Sequence, residues 1–146
     1  MAINTGKVAI AGIGAGVVLA LIDWVVMKFI TGPIMTADMN NFKVGAGDAM
    51  NAPGAWMGMV FMDVLMGILI VWLYAAIRPR FGPGMKTAVS AALFMWIVGS
   101  FFTSTFGFMG MMTWNHWFIQ AVIWLVTLII VASVGGRLYS EDGATA

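Results

Sequence analysis

Residues 54–86 read GAWMGMVFMDVLMGILIVWLYAAIRPRFGPGMK. The part from 54 to 77 is one apolar run, longer than the ~20 residues that carry a helix across a hydrocarbon core of ~30 Å. It holds a single carboxylate, Asp63, in the half nearer its start. The basic segment Arg78-Pro79-Arg80-Phe81-Gly82-Pro83-Gly84 then reverses the chain, because each Pro fixes φ and lacks a donor while each Gly admits positive φ. A spanning helix followed by a basic turn settles the fold class, all-α and membrane-embedded, and the other apolar runs follow from it.

Composition agrees. Of 146 residues, 62% are hydrophobic and only 9% charged, and the mean hydropathy is +0.97. A soluble domain carries about 25% charged residues. The chain contains no cysteine, which excludes disulfides, thiolate metal sites and cysteine nucleophiles. A net charge of +1 leaves no broad basic surface for nucleic acid. Fourteen Met and seven Trp fit adaptable packing and interfacial anchoring respectively.

The chain therefore reads as one transmembrane domain, 1–146, a bundle of four transmembrane helices in two hairpins. The spans fall at about 8–30, 54–77, 87–109 and 112–137. The first is too long for a signal peptide, whose apolar core has 7–15 residues. The connection 32–53 is the longest outer loop. Within it Met35, Met39 and Phe42 are spaced i, i+4, i+7, which predicts a short interfacial helix with Asp38 near its start. SEDGATA forms a polar tail. Lys and Arg in short loops favour the cytoplasmic side. One end collects Lys7, Arg78, Arg80, Lys86 and Arg137, against Lys28 and Lys43 at the other. Both termini are thus expected in the cytoplasm (N-in, C-in). Spans two and four both begin near Trp (Trp56; Trp114 and Trp117) and end near an Arg and a Tyr, a faint internal echo.

Gly12, Gly16 and Ala20 recur every four residues, so small side chains line one helical stripe, the usual device for close helix approach in lipid. Asp23 continues that stripe. Lys28, beyond it, is placed to extend its ammonium toward the headgroups. At 1.5 Å per residue, Asp23, Asp63, Ser100 and Gln120 all lie about 12–14 Å below the outer ends of their spans. Ser104 and His116 lie higher. If the bundle closes, Asp23, Asp63, Ser100, Ser104, His116 and Gln120 form one intramembrane polar cluster. Acidic groups at such depth are costly, and by default point to a ligand, ion or proton site. The plainer reading is interhelical hydrogen bonding that holds the helices in register.

His116, flanked by Trp114, Asn115 and Trp117, reads most simply as part of an interfacial aromatic belt. Axial ligation of a pigment magnesium or haem iron is the alternative, with no companion ligand in the sequence. Trp72 and Tyr74 read as interface anchors. Gly12-Ile13-Gly14-Ala15-Gly16 lacks the preceding strand and the Lys of a phosphate loop. Neither a metal-ligand spacing nor a hydrolase motif is present, so neither metal nor catalytic residues are expected, and bound lipid is the expected companion.

The stretch WLYAAIRPRFGPGMKTA, 72–88, with the pair Asp23-Trp24, resembles a loosely defined group of uncharacterised bacterial four-span membrane proteins. That resemblance implies four helices and a bacterial source, and assigns no functional residues.

Two functions remain open on the sequence. The first is a non-catalytic accessory subunit of a larger respiratory or photosynthetic membrane complex, since almost nothing projects into water and small-residue stripes offer surfaces to partner helices. The second is a small transporter or channel, a homo-oligomer, with an intramembrane Asp23–Asp63 relay. An enzyme acting on lipid or quinone would have to use the same two acids.

Overall fold

The computed structural model describes residues 3–139; the SEDGATA tail lies outside the described residues. Six α-helices follow one another: α1 Thr5–Val26, α2 Gly32–Phe42, α3 Ala46–Ala49, α4 Pro53–Phe81, α5 Met85–Phe108 and α6 Trp114–Leu138. No strand occurs among the described residues. Four stretches are long and apolar enough to cross a membrane: Thr5–Phe42, Pro53–Phe81, Met85–Phe108 and Trp114–Leu138.

The sequence predicts a break at Gly32-Pro33, but the helix runs on. Between α1 and α2, Met27–Thr31 forms a π-helical turn, and the Gly32 N–H reaches back five residues to the Met27 carbonyl. A Cβ on Gly32 would sit 2.0 Å from that carbonyl oxygen, so only glycine fits the crossover. Pro33 occupies the first turn of α2, where its missing N–H costs nothing. The interfacial helix expected around Met35–Phe42 is therefore a direct extension of the first span. Lys28, within the π turn, lies 4.9 Å from the centre of the Trp24 ring.

The tightest pair is α1 against α4. A Cβ on Gly12 would approach Ile68 Cα to 2.5 Å, one on Gly16 would approach Val64 Cα to 2.5 Å, and one on Gly67 would approach the Gly16 nitrogen to 2.3 Å. The small-residue stripe is thus consumed inside the chain. This corrects the expectation that Gly12 and Gly16 present a surface to other subunits. Ala20, further along, lines a cavity.

The second hairpin, α5 with α6, is tied by two indole donors. Trp96 Nε1 donates to the Ala121 carbonyl at 2.7 Å, and Trp117 Nε1 donates to the Ser100 carbonyl at 3.3 Å. Helix α6 also packs on α1 and α4, which closes the bundle. The core is small: Ala11, Ala15, Ala88, Ala91, Ala92 and Ala132 are all buried, joined by Leu19, Ile70, Leu128 and Val131. Phe29, Phe61, Phe101, Phe102 and Phe118 face outward. Small residues inside and large apolar ones outside invert the soluble pattern and suit helices surrounded by lipid.

At the basic end, α4 continues through Pro79 to Phe81, and the reversal falls on Gly82 (φ 80°) and Gly84 (φ 116°). Thr87 Oγ1 donates to the Gly82 carbonyl at 2.6 Å, and the Gly84 N–H donates to Tyr74 Oη at 3.1 Å. Tyr74 is buried, which corrects its reading as an interface anchor. Trp72, 49% exposed, faces outward. Tyr74 and Tyr139 meet edge to face at 6.3 Å, with Arg78 over the Tyr139 ring, so the two Arg–Tyr ends of spans two and four pack together.

Candidate functional site

A further set of buried polar groups lies at the opposite end. Thr113 caps α6, its Oγ1 accepting from the His116 N–H at 3.4 Å. The Asp38 carboxylate, carried on α2, reaches this cap. Its Oδ2 accepts from the Thr113 N–H at 2.9 Å, from Thr113 Oγ1 at 3.2 Å and from His116 Nδ1 at 2.8 Å. His116 is fully buried and Asp38 is 6% exposed. A carboxylate with three donors is well compensated for burial. An orphaned helix start beside an acidic group is also favourable, because the first N–H groups carry partial positive charge.

His116 is therefore not a belt residue at the water interface, as its tryptophan neighbours suggest, but a core residue with a carboxylate partner. Trp114, in contrast, is half-exposed and stacks edge to face on Phe108 at 5.0 Å. With Nδ1 facing Asp38, the imidazole proton belongs on Nδ1 and a lone pair remains on Nε2. Nε2 is buried and has no hydrogen-bond partner among the described residues.

Asp23 on α1 and Asp63 on α4 share one cavity wall. The glycine stripe sets this up: Gly16 lies two turns before Asp23 and brings α1 onto the Asp63 carbonyl, 2.9 Å from where a Gly16 Cβ would be. The pair lines a cavity of about 470 Å³ between α1, α4 and α6, with Gln120 and Trp124 on the α6 side. A second cavity of about 380 Å³ has His116 and Asp38 in its wall. Gln120 and Met35 line both cavities.

The six-residue cluster expected from depth thus divides. Asp23, Asp63 and Gln120 share one cavity, and Gln120 and His116 share the next. Ser100 is buried, and its Oγ has no hydrogen-bond partner among the described residues. Ser104 turns back to the Phe101 carbonyl at 2.7 Å and belongs to neither cavity. The sequence missed Asp38 and Thr113. The sequence places Asp38 near the start of a short interfacial helix and gives it no partner in the bundle. The available signal was its place between Met35, Met39 and Phe42 on an apolar-spaced helix. Among the described residues no group of three His, Asp or Glu side chains forms a metal cluster.

Four spans, an inverted core and buried acids are the signature of a multi-pass helical membrane protein. Comparison with protein-family models, with curated proteins and with solved structures finds no match for the chain.

Proposed function

We propose that the protein moves protons, or a small cation in exchange for them, across a bacterial inner membrane, with both termini on the cytoplasmic side. The observation that carries this reading is that two carboxyls, Asp23 and Asp63, line one cavity inside the spans. Two carboxyls facing one cavity can release a proton for a cation and take it back, which is the minimum chemistry of exchange. Gln120 supplies a neutral polar group to the same cavity, fit to coordinate through its carbonyl without adding charge. The orientation rests on the five basic residues gathered at the α4–α5 turn and the helix ends beside it.

The test is flux in liposomes loaded with a pH-sensitive dye. Wild-type protein collapses an imposed proton gradient when the transported cation is present, and Asp63→Asn abolishes this while eluting as folded protein. A wild-type protein inert toward every alkali and alkaline-earth cation tested overturns the reading.

An accessory subunit of a larger complex is the second reading. It is favoured by α5, the least buried of the four spans, whose Phe94, Phe101 and Phe102 all face outward. Native mass spectrometry from the source membrane separates the two. A hetero-complex of fixed stoichiometry supports the subunit role, and a monomer or homo-oligomer supports the carrier.

A further inference from the structure

We infer that the second cavity is a binding site for a soft monovalent metal ion, Cu(I), held by His116 Nε2 and methionine thioethers. The inference is independent of the Asp23–Asp63 reading and concerns a different cavity.

Five of the residues lining the 380 Å³ cavity are methionines: Met35 and Met39 from α2, Met50 from the segment before α4, and Met111 and Met112 from the α5–α6 turn. They come from three separate parts of the chain and share the cavity wall with His116. Methionine alone is ordinary filler for irregular gaps. What filler does not explain is a buried imidazole nitrogen in the same wall: His116 Nε2 has no hydrogen-bond partner among the described residues, and an unsatisfied buried polar atom is destabilising. A leucine at 116 would fill the space without that cost.

The Asp38 contact has the form of a carboxylate–histidine–metal arrangement. Metal-bound imidazoles commonly donate their other N–H to a carboxylate, which fixes the tautomer and raises the basicity of the ligating nitrogen. Asp38 does this through Nδ1 at 2.8 Å and is itself fixed by Thr113. That leaves the second ring nitrogen unprotonated on a residue of the cavity wall.

The ligand set selects the ion. Neutral thioethers with one imidazole suit Cu(I). Zinc and iron sites draw on several His, Cys or carboxylate ligands, and here the described residues offer no third such group. Magnesium and calcium require oxygen ligands. Charge agrees as well. One Cu(I) beside one Asp38 carboxylate is a neutral pair, whereas a divalent ion would leave a net charge in an apolar surrounding, which is expensive.

The experiment uses the full chain in detergent, under anaerobic ascorbate, competing for Cu(I) with the chromophoric chelator bicinchoninate. The expected result is one Cu(I) per chain, with X-ray absorption showing sulfur and nitrogen neighbours. Asp38→Asn is expected to weaken the affinity about 10–100-fold. Met39→Leu combined with Met112→Leu, a volume-conserving pair of changes, is expected to weaken it at least as much and to remove sulfur from the absorption spectrum. Because those leucines preserve packing, they keep the test decisive even if His116→Ala fails to fold. Asp63→Asn is expected to bind Cu(I) like the wild type, so a failure of the carrier reading leaves this result intact. No stoichiometric Cu(I) uptake by the wild type overturns the inference. So does uptake that the methionine and Asp38 variants leave unchanged, or a copper site with only nitrogen and oxygen neighbours.

Discussion

Asp38 Oδ2 and His116 Nδ1, 78 positions apart in the chain, meet at 2.8 Å where both side chains are almost wholly buried. The contact joins the extension of the first span to the start of the last. Removing either partner leaves the other polar group stranded. His116→Ala and Asp38→Ala are each expected to destabilise the fold by about 3–5 kcal/mol, read from unfolding in mixed micelles. The double variant is expected to lose clearly less than the sum of the two. Strict additivity would show that the contact carries no coupling.

Thr113 serves two neighbours, accepting from the His116 N–H and donating to Asp38. Thr113→Ser keeps both and is expected to behave like the wild type. Thr113→Val, of nearly equal volume, loses both and is expected to cost at least about 1 kcal/mol, the ordinary loss of a helix cap. Equal stability of the two variants would assign the hydroxyl no role.

The α1–α4 contact makes an unusually sharp prediction, because a single methyl has nowhere to go at Gly16. Gly16→Ala is expected to cost about 1–3 kcal/mol, the range for overpacking a close interface, and to separate Asp23 from Asp63. Gly58→Ala, on the same helix as Val64 but with nothing within 4 Å of its Cβ, is expected to be neutral or slightly stabilising through helix propensity. Thermal melts of the two variants compare them directly, and a Gly16→Ala protein as stable as Gly58→Ala would refute the packing.

The lack of cysteine makes orientation easy to measure. Lys43 and Arg80 are both exposed and lie at opposite ends of the first and second spans. In intact spheroplasts, a membrane-impermeant maleimide is expected to label Lys43→Cys and to label Arg80→Cys only after lysis. The reverse pattern would invert the proposed topology.

The spans were legible because each is an apolar run of sufficient length, and the stripe of Gly12, Gly16 and Ala20 was legible as a close-packing face. What that face packs against was not, since a four-residue spacing names no partner. Depth counting puts Asp23 and Asp63 at one level, and the structure has both lining one cavity, because acids at equal depth on adjacent antiparallel spans have few other places to go. It failed for Ser104, because depth says nothing about which way a side chain points around its helix. The Asp38–His116 contact was hidden for a further reason. Gly32-Pro33 is ordinary punctuation for a helix end, and here glycine instead permits a π-helical crossover.

That crossover acts on everything beyond it as a phase shifter. Successive α-helical residues are rotated by about 100°, so one residue more or fewer between Met27 and Thr31 swings the whole of α2 by about that angle. Deleting a single residue there, such as Ile30, would let the stretch relax to continuous α-helix and would turn Asp38 away from Thr113 and His116. Met35 and Met39 would turn with it. The aim of the acid is therefore encoded in the length of a five-residue turn as much as in the identity of the acid itself.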